Sequence, residues 1–127
     1  MPVQSYRQVV AWQKAMDLAE EVYRATQRFP KEELYGITSQ LRRAVISVPS
    51  NIAEGQGRQS TGEFRQFLGN ARGSLLEVES HLLLAERFHD LRHEAAEDLL
   101  DRSAEAGKVL NGLIAALQQS RRKNAGH

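Results

Sequence analysis

Cysteine is absent from the 127-residue chain, which excludes a disulfide framework, a thiol nucleophile, a thiolate zinc site and an iron–sulfur cluster. Proline is scarce, with Pro2, Pro30 and Pro49 the three present, so few positions force a break in regular structure. Linkers rich in glycine and serine, low-complexity tracts and internal repeats are missing, which leaves one continuous domain over residues 1–127 with a basic tail from about 119. Aliphatic runs such as Leu82-Leu83-Leu84-Ala85 fall far short of the roughly 20 residues of a membrane-spanning helix. The stretch from Met1 to Trp12 has no apolar secretory core, so a cytoplasmic protein without a membrane partner is expected. Aromatics make up 6% of the chain, and alternation of β-branched with aromatic residues is nowhere sustained, which argues against strands.

What is present is helical spacing. Ala11, Ala15, Leu18, Val22, Ala25 and Phe29 step by three and four, then Pro30 intervenes; Ile37, Leu41, Ala44, Val48 and Ile52 repeat the pattern up to Gly55 and Gly57. A third stripe opens at Ser60-Thr61-Gly62-Glu63, a capping box whose polar groups would satisfy free amides, and runs through Phe64, Leu68, Ala71, Leu75, Val78, Leu82 and Ala85. The fourth, from about Leu91, carries Ala96, Leu99, Ser103, Ala106, Leu110, Leu113 and Leu117. Four amphipathic helices with short connections near residues 30–36, 55–60 and 89–92 predict an all-α, antiparallel up-down-up-down, left-handed four-helix bundle. Pro49 lies inside the second helix and lacks the donor for the Val45 carbonyl, so a kink is expected there.

The first helix has a second stripe, Trp12, Met16, Ala19, Tyr23 and Thr26. Two readings of it stand side by side. It widens the core face, or it is a self-association surface, since aromatic anchors concentrate at interface centres.

Net charge is +1, from 17 basic and 16 acidic residues, so the overall balance makes no case for nucleic acid. The distribution does. In an up-down bundle one end gathers Arg7, Lys14, Arg58, Arg65, Arg72, Arg121, Arg122 and Lys123 against Asp17, Glu54 and Glu63; the other end holds more acids than bases. Such polarity, repeated by a cyclic oligomer, builds a basic face suited to structured RNA or another nucleic acid. A plain solvated charge surface is the competing reading. Arg42, Arg43, Asn51 and Glu54 form a polar group at the end of the second helix. Asn51 and Glu54 there would bond to amides freed near Pro49 and at the next helix start, and Arg43 would pair with a carboxylate; alternatively the group binds a ligand or phosphate.

Catalytic and metal readings are weak. Glu86-x-x-His89 has di-iron ligand spacing without the second such pair that chemistry needs. His89 and His93 straddle a turn, and Gly55-Gln56-Gly57 lacks a third glycine and a preceding strand. Gly69 and Gly73 are expected to permit close helix packing. No catalytic residue, metal, cofactor or small-molecule substrate is expected, and the protein is not expected to be an enzyme.

Trp12-Gln13-Lys14-Ala15, Phe29-Pro30-Lys31-Glu32-Glu33 with Tyr35-Gly36, Ser39-Gln40-Leu41-Arg42-Arg43-Ala44 and Ser47-Val48-Pro49-Ser50-Asn51-Ile52-Ala53-Glu54-Gly55 stand in order. With Glu63-Phe64, Phe67-Leu68, Ala71-Arg72-Gly73-Ser74-Leu75 and Leu110-Asn111-Gly112-Leu113, the chain resembles the bacterial four-helix bundle protein family, also called the 23S rRNA intervening-sequence protein family. Ser50, where alanine is usual, and Ala11, where a larger aliphatic is common, depart from the pattern. The resemblance implies a homo-oligomer, with five-subunit rings known, and no assigned activity. The architecture is also similar to that of the basic pentameric accessory proteins of diversity-generating retroelements. The function expected is therefore an oligomeric, RNA-associated binding module, with a protein-interaction or assembly scaffold as the alternative.

Overall fold

The computed structural model describes residues 5–125, with side chains up to Gln119. A short 3-10 turn at Tyr6–Gln8 leads into α1 (Val10–Thr26), and a second at Lys31–Glu33 leads into α2 (Ile37–Gln56); α3 (Thr61–Arg87) and α4 (His93–Ala125) follow. The described residues contain no strand. Each helix packs on the next, and α4 returns to α1, so the four close around a common core. The fold is all-α and bundle-like.

The core follows the stripes. Ala11, Ala15, Leu18 and Val22 of α1 meet Leu41, Ala44, Val45, Val48 and Ile52 of α2, Leu68, Ala71, Leu75, Val78, Leu82 and Ala85 of α3, and Ala96, Leu99, Ala106 and Leu110 of α4. Burial of such a stripe, at about 25 cal/mol per Å² of apolar area, drives each helix onto its neighbours. Some stripe members land at the margin: Ala25, Phe64, Leu113 and Leu117 are partly buried, and Ile114 takes the innermost place near the end of α4. α1 ends at Thr26, earlier than Pro30 implies, because the backbone tightens into turns through Phe29.

α2 and α3 share the most extensive contact. A Cβ added at Gly55 would sit 2.8 Å from the Phe67 Cβ and 2.9 Å from Phe64 Cδ1, so the two helices touch almost backbone to side chain there. Gly69 and Gly73 do not act this way. A Cβ at either would meet nothing within 4 Å, which corrects the expectation of close packing: both face outward from α3.

The helix ends are built locally. At α3, the Glu63 amide donates to Ser60 Oγ at 3.1 Å, and the Ser60 hydroxyl lies 3.2 Å from Glu63 Oε1. The glutamate thus engages the serine hydroxyl instead of a free amide. At the other end, Asp90 N–H donates to Ala85 O and His89 N–H to Glu86 O, a Schellman closure with His89 at φ 65° in the position that usually holds glycine.

Candidate assembly surface and basic residues

The second stripe of α1 becomes one wall of a trough. Trp12, Met16, Ala19 and Tyr23 face Ile46, Pro49, Ser50 and Ala53 of α2 across a groove of about 530 Å³, with Tyr6 at one end and Glu20 on the rim. Tyr6 meets Trp12 edge to face, with centroids 5.3 Å apart and planes at 71°. The stripe divides by burial. Trp12, Ala19 and Tyr23 are half-buried against the core, whereas Met16 and Ile46 keep large exposed areas. Thr26, the last member of the stripe, is buried and serves a different purpose: its hydroxyl lies 3.1 Å from the Tyr23 carbonyl and accepts from Arg42 Nε at 2.8 Å.

Arg42 then lays its guanidinium over the Tyr23 ring, 4.6 Å from the centroid. This node ties α1 to α2 through a cation–π contact and a charge-assisted hydrogen bond. Beyond it the trough continues into a depression of about 410 Å³ lined by Leu34, Tyr35, Thr38, Ser39 and Arg43. The α2 half of the trough and the Thr26 node escape the sequence reading, although Ile46, Pro49 and Ala53 carry the same three-and-four step beside the core stripe of α2.

The polar group at the end of α2 does less than expected. Asn51 Nδ2 donates to the Ser47 carbonyl at 2.8 Å, one turn back, and does not accept from a freed amide. Glu54 pairs with Arg58 at 3.4 Å instead of capping α3, whose start is already closed by Ser60. Among the described residues Arg43 has no carboxylate partner. The amide of Asn51 can reach that carbonyl because an asparagine four residues on lies directly above it.

The basic residues divide in the same way. Lys14 is bonded to Glu105 at 2.6 Å across α1 and α4, and this contact holds the Glu105 carboxyl below the usual carboxylate range. Arg58 also stacks on Phe67 at 4.7 Å, and Arg7 lies 5.9 Å from the Tyr6 ring centroid. Arg65 and Arg72, two turns apart on α3, have no carboxylate partner among the described residues. The side chains of Arg121, Arg122 and Lys123 lie outside the described residues.

At the opposite end, Glu86 turns from His89 to His93, whose Nδ1 is 2.7 Å away, and His93 Nε2 approaches Glu97 at 3.1 Å. The two carboxylates raise the His93 pKa. His89 points to solvent. No group of side chains able to hold a metal ion occurs among the described residues, and no helix among them is long and apolar enough to cross a membrane.

A family model described as 23S rRNA-intervening sequence protein matches residues 7–112, which span α1, α2, α3 and the first part of α4. The chain belongs to the 23S rRNA-intervening sequence protein family. The matched region of this family member ends before Arg121, Arg122 and Lys123. Among solved structures, the chain is similar to a protein of unknown function from the S23 ribosomal protein family of Bacteroides thetaiotaomicron, at 24% identity and a TM-score of 0.74. The alignment covers 82% of this chain and 97% of that one, a likeness of fold. No curated protein matches this family member.

Proposed function

We propose that this protein is a homo-oligomeric binding module, with the α1/α2 trough as its assembly interface and RNA as the polyanion the assembly holds. The observation that carries the reading is the trough itself. A lone bundle has no use for a second apolar surface holding its single tryptophan, two tyrosines, Met16 and Ile46, and continuous apolar patches of this kind mark interaction sites. The same reading includes the up-down order of the helices, with α2 bent at Pro49. It also includes closure into a ring of five, the number the family resemblance implies, and a cytoplasmic location. It assigns binding without catalysis.

The family's name links its members to 23S rRNA, which favours RNA among polyanions. Arg65 and Arg72 supply cations not engaged by carboxylates, and a ring repeats them so that weak contacts add through avidity. A protein scaffold without a nucleic-acid role is the second reading, favoured by the pairing of Lys14 and Arg58 with carboxylates.

Light scattering should give an oligomer at micromolar concentration, and Trp12→Ala should dissociate it while helicity stays, since interface aromatics commonly contribute about 2 kcal/mol or more. Anisotropy titration with a structured RNA at two salt concentrations separates the two readings. Binding that falls steeply with salt, is abolished by reversing Arg58, Arg65 and Arg72 to Glu, and survives reversal of Arg24, Arg28 and Arg87 supports RNA. Absence of binding by the unmodified protein at low salt moves the assignment to the scaffold.

A further inference from the structure

Past the node of Arg42 and Tyr23, the depression of about 410 Å³ is built differently from the apolar trough it adjoins. Ser39, Arg42, Arg43 and Ile46 follow one another at three- and four-residue steps, so one face of α2 supplies most of its lining. Tyr23 joins from α1, and Leu34 and Tyr35 from the segment before α2. Acidic side chains are missing from this lining; Glu33 stands outside it, its Oε2 3.4 Å from where a Cβ on Gly36 would be. The polar groups here are largely uncommitted among the described residues. Arg43 has no carboxylate partner, and neither has Arg42, whose Nε is given to Thr26 and whose terminal nitrogens stay unbonded. Thr38 also lines the depression and is 3% exposed, yet its hydroxyl has no partner, against the rule that buried hydroxyls are paired. Tyr35 is 91% exposed and meets no other ring.

We infer that this depression is a nucleotide site, in which Arg42 and Arg43 hold the phosphate of a nucleoside monophosphate, free or at the phosphorylated end of an RNA strand, and Tyr35 stacks on its base. The site needs neither a ring nor the arginines of α3, so it goes beyond the proposed function and stands or falls apart from it. A terminal phosphate has three oxygens free to accept from two guanidinium forks at once. Arg42 is set in advance, because Thr26 and the Tyr23 ring fix its plane and little freedom is left to lose on binding. Ser39 and Thr38 offer hydroxyls to the same oxygens. Threonine in a helix has two ready χ1 rotamers, so the enclosed Thr38 hydroxyl turns toward the phosphate without strain. The open Tyr35 ring gives the base a flat surface, and stacking of this kind accepts any base.

Calorimetric titration of the full chain with adenosine monophosphate, adenosine and inorganic phosphate tests the site. The nucleotide should bind, and the other two should each bind about tenfold or more weakly. Arg43→Gln should weaken the nucleotide about tenfold or more, the loss of one charge-assisted contact, and Tyr35→Ala should bring its affinity toward that of inorganic phosphate. Thr38→Val should weaken binding while the melting temperature of the free protein holds or rises, because an unpaired buried hydroxyl has been removed. Arg43 and Tyr35 are exposed, so their variants remain readable if Thr38→Val misfolds. Arg28→Gln, an exposed arginine outside the depression, should change nothing. A short single-stranded RNA with a terminal phosphate that binds more tightly than the nucleotide, while the same RNA without it does not, names the strand end as the source; a nucleotide that binds as tightly as that RNA names the free ligand. No binding of adenosine monophosphate at millimolar concentration, inorganic phosphate held as tightly as the nucleotide, or affinity unchanged in Arg43→Gln overturns the site and leaves the assembly and RNA readings where they stand.

Discussion

Gly55→Ala sets two known effects against each other. In an open helix the change would gain up to about 1 kcal/mol from backbone preference. Here the new methyl would lie 2.8 Å from Phe67 Cβ, 2.9 Å from Phe64 Cδ1 and 3.3 Å from the Phe64 carbonyl oxygen. The Phe64 ring can rotate away, but the Phe67 Cβ and the carbonyl belong to the α3 scaffold, so the helices must part by several tenths of an ångström. Overpacking of this kind costs about 1–3 kcal/mol, and set against the full gain the net result runs from no change to a loss of about 2 kcal/mol. Gly112→Ala is the matched control, because a Cβ there meets nothing within 4 Å in the same structure and should gain about 0.5–1 kcal/mol. Urea denaturation of both variants, followed by circular dichroism at fixed protein concentration, measures the two shifts. If Gly55→Ala gains as much stability as Gly112→Ala, α2 and α3 do not approach as described and the reasoning fails.

His89 holds a left-handed conformation that costs a residue with a Cβ roughly 1–2 kcal/mol; His89→Gly should therefore stabilise the protein by up to about 1 kcal/mol in thermal denaturation, and destabilisation would contradict the Schellman closure. His93 has its pKa raised chiefly by the hydrogen bond to Glu86, with Glu97 adding charge. A group raised on folding contributes fully below its unfolded value of about 6.5 and loses that contribution as pH rises through the folded value, so the α3–α4 junction is tightest at mildly acidic pH. In an NMR titration the His93 midpoint should lie above the ordinary histidine value and fall in Glu86→Gln; an unshifted midpoint would deny the contact.

The bundle is legible in the sequence because burial repeats every three or four residues, and stripe members such as Leu18, Leu41, Leu68 and Leu110 are almost wholly buried. The trough is half legible. Trp12, Met16, Ala19 and Tyr23 announce its α1 wall, but apart from Ile46 the α2 wall is made of Pro49, Ser50 and Ala53, residues whose types carry little signal until α1 lies beside them. Side-chain partners are harder still. Asn51 has a choice between amides and carbonyls, and only the helix geometry decides for Ser47; Glu86 has His89 close in sequence but bonds His93, because the turn at His89 brings the start of α4 within its reach. Arg42 reads as part of a polar motif, yet its partner Thr26 is sixteen residues away on another helix.

The close seam between α2 and α3 also bears on the order of events when the chain folds. These helices are adjacent in sequence, joined through residues 57–60, and meet over the broadest contact in the molecule, so they form their interface at the smallest loop-closure cost. The α2–α3 hairpin is thus expected to be the nucleus, with α1 settling onto it late. In refolding kinetics, Ala71→Gly should slow folding, whereas Val22→Ala should mainly hasten unfolding; the reverse would place the nucleus at α1. Because α1 supplies one wall of the trough, a newly made chain presents no complete docking surface until its last packing step, and partial folds are kept from joining one another too early.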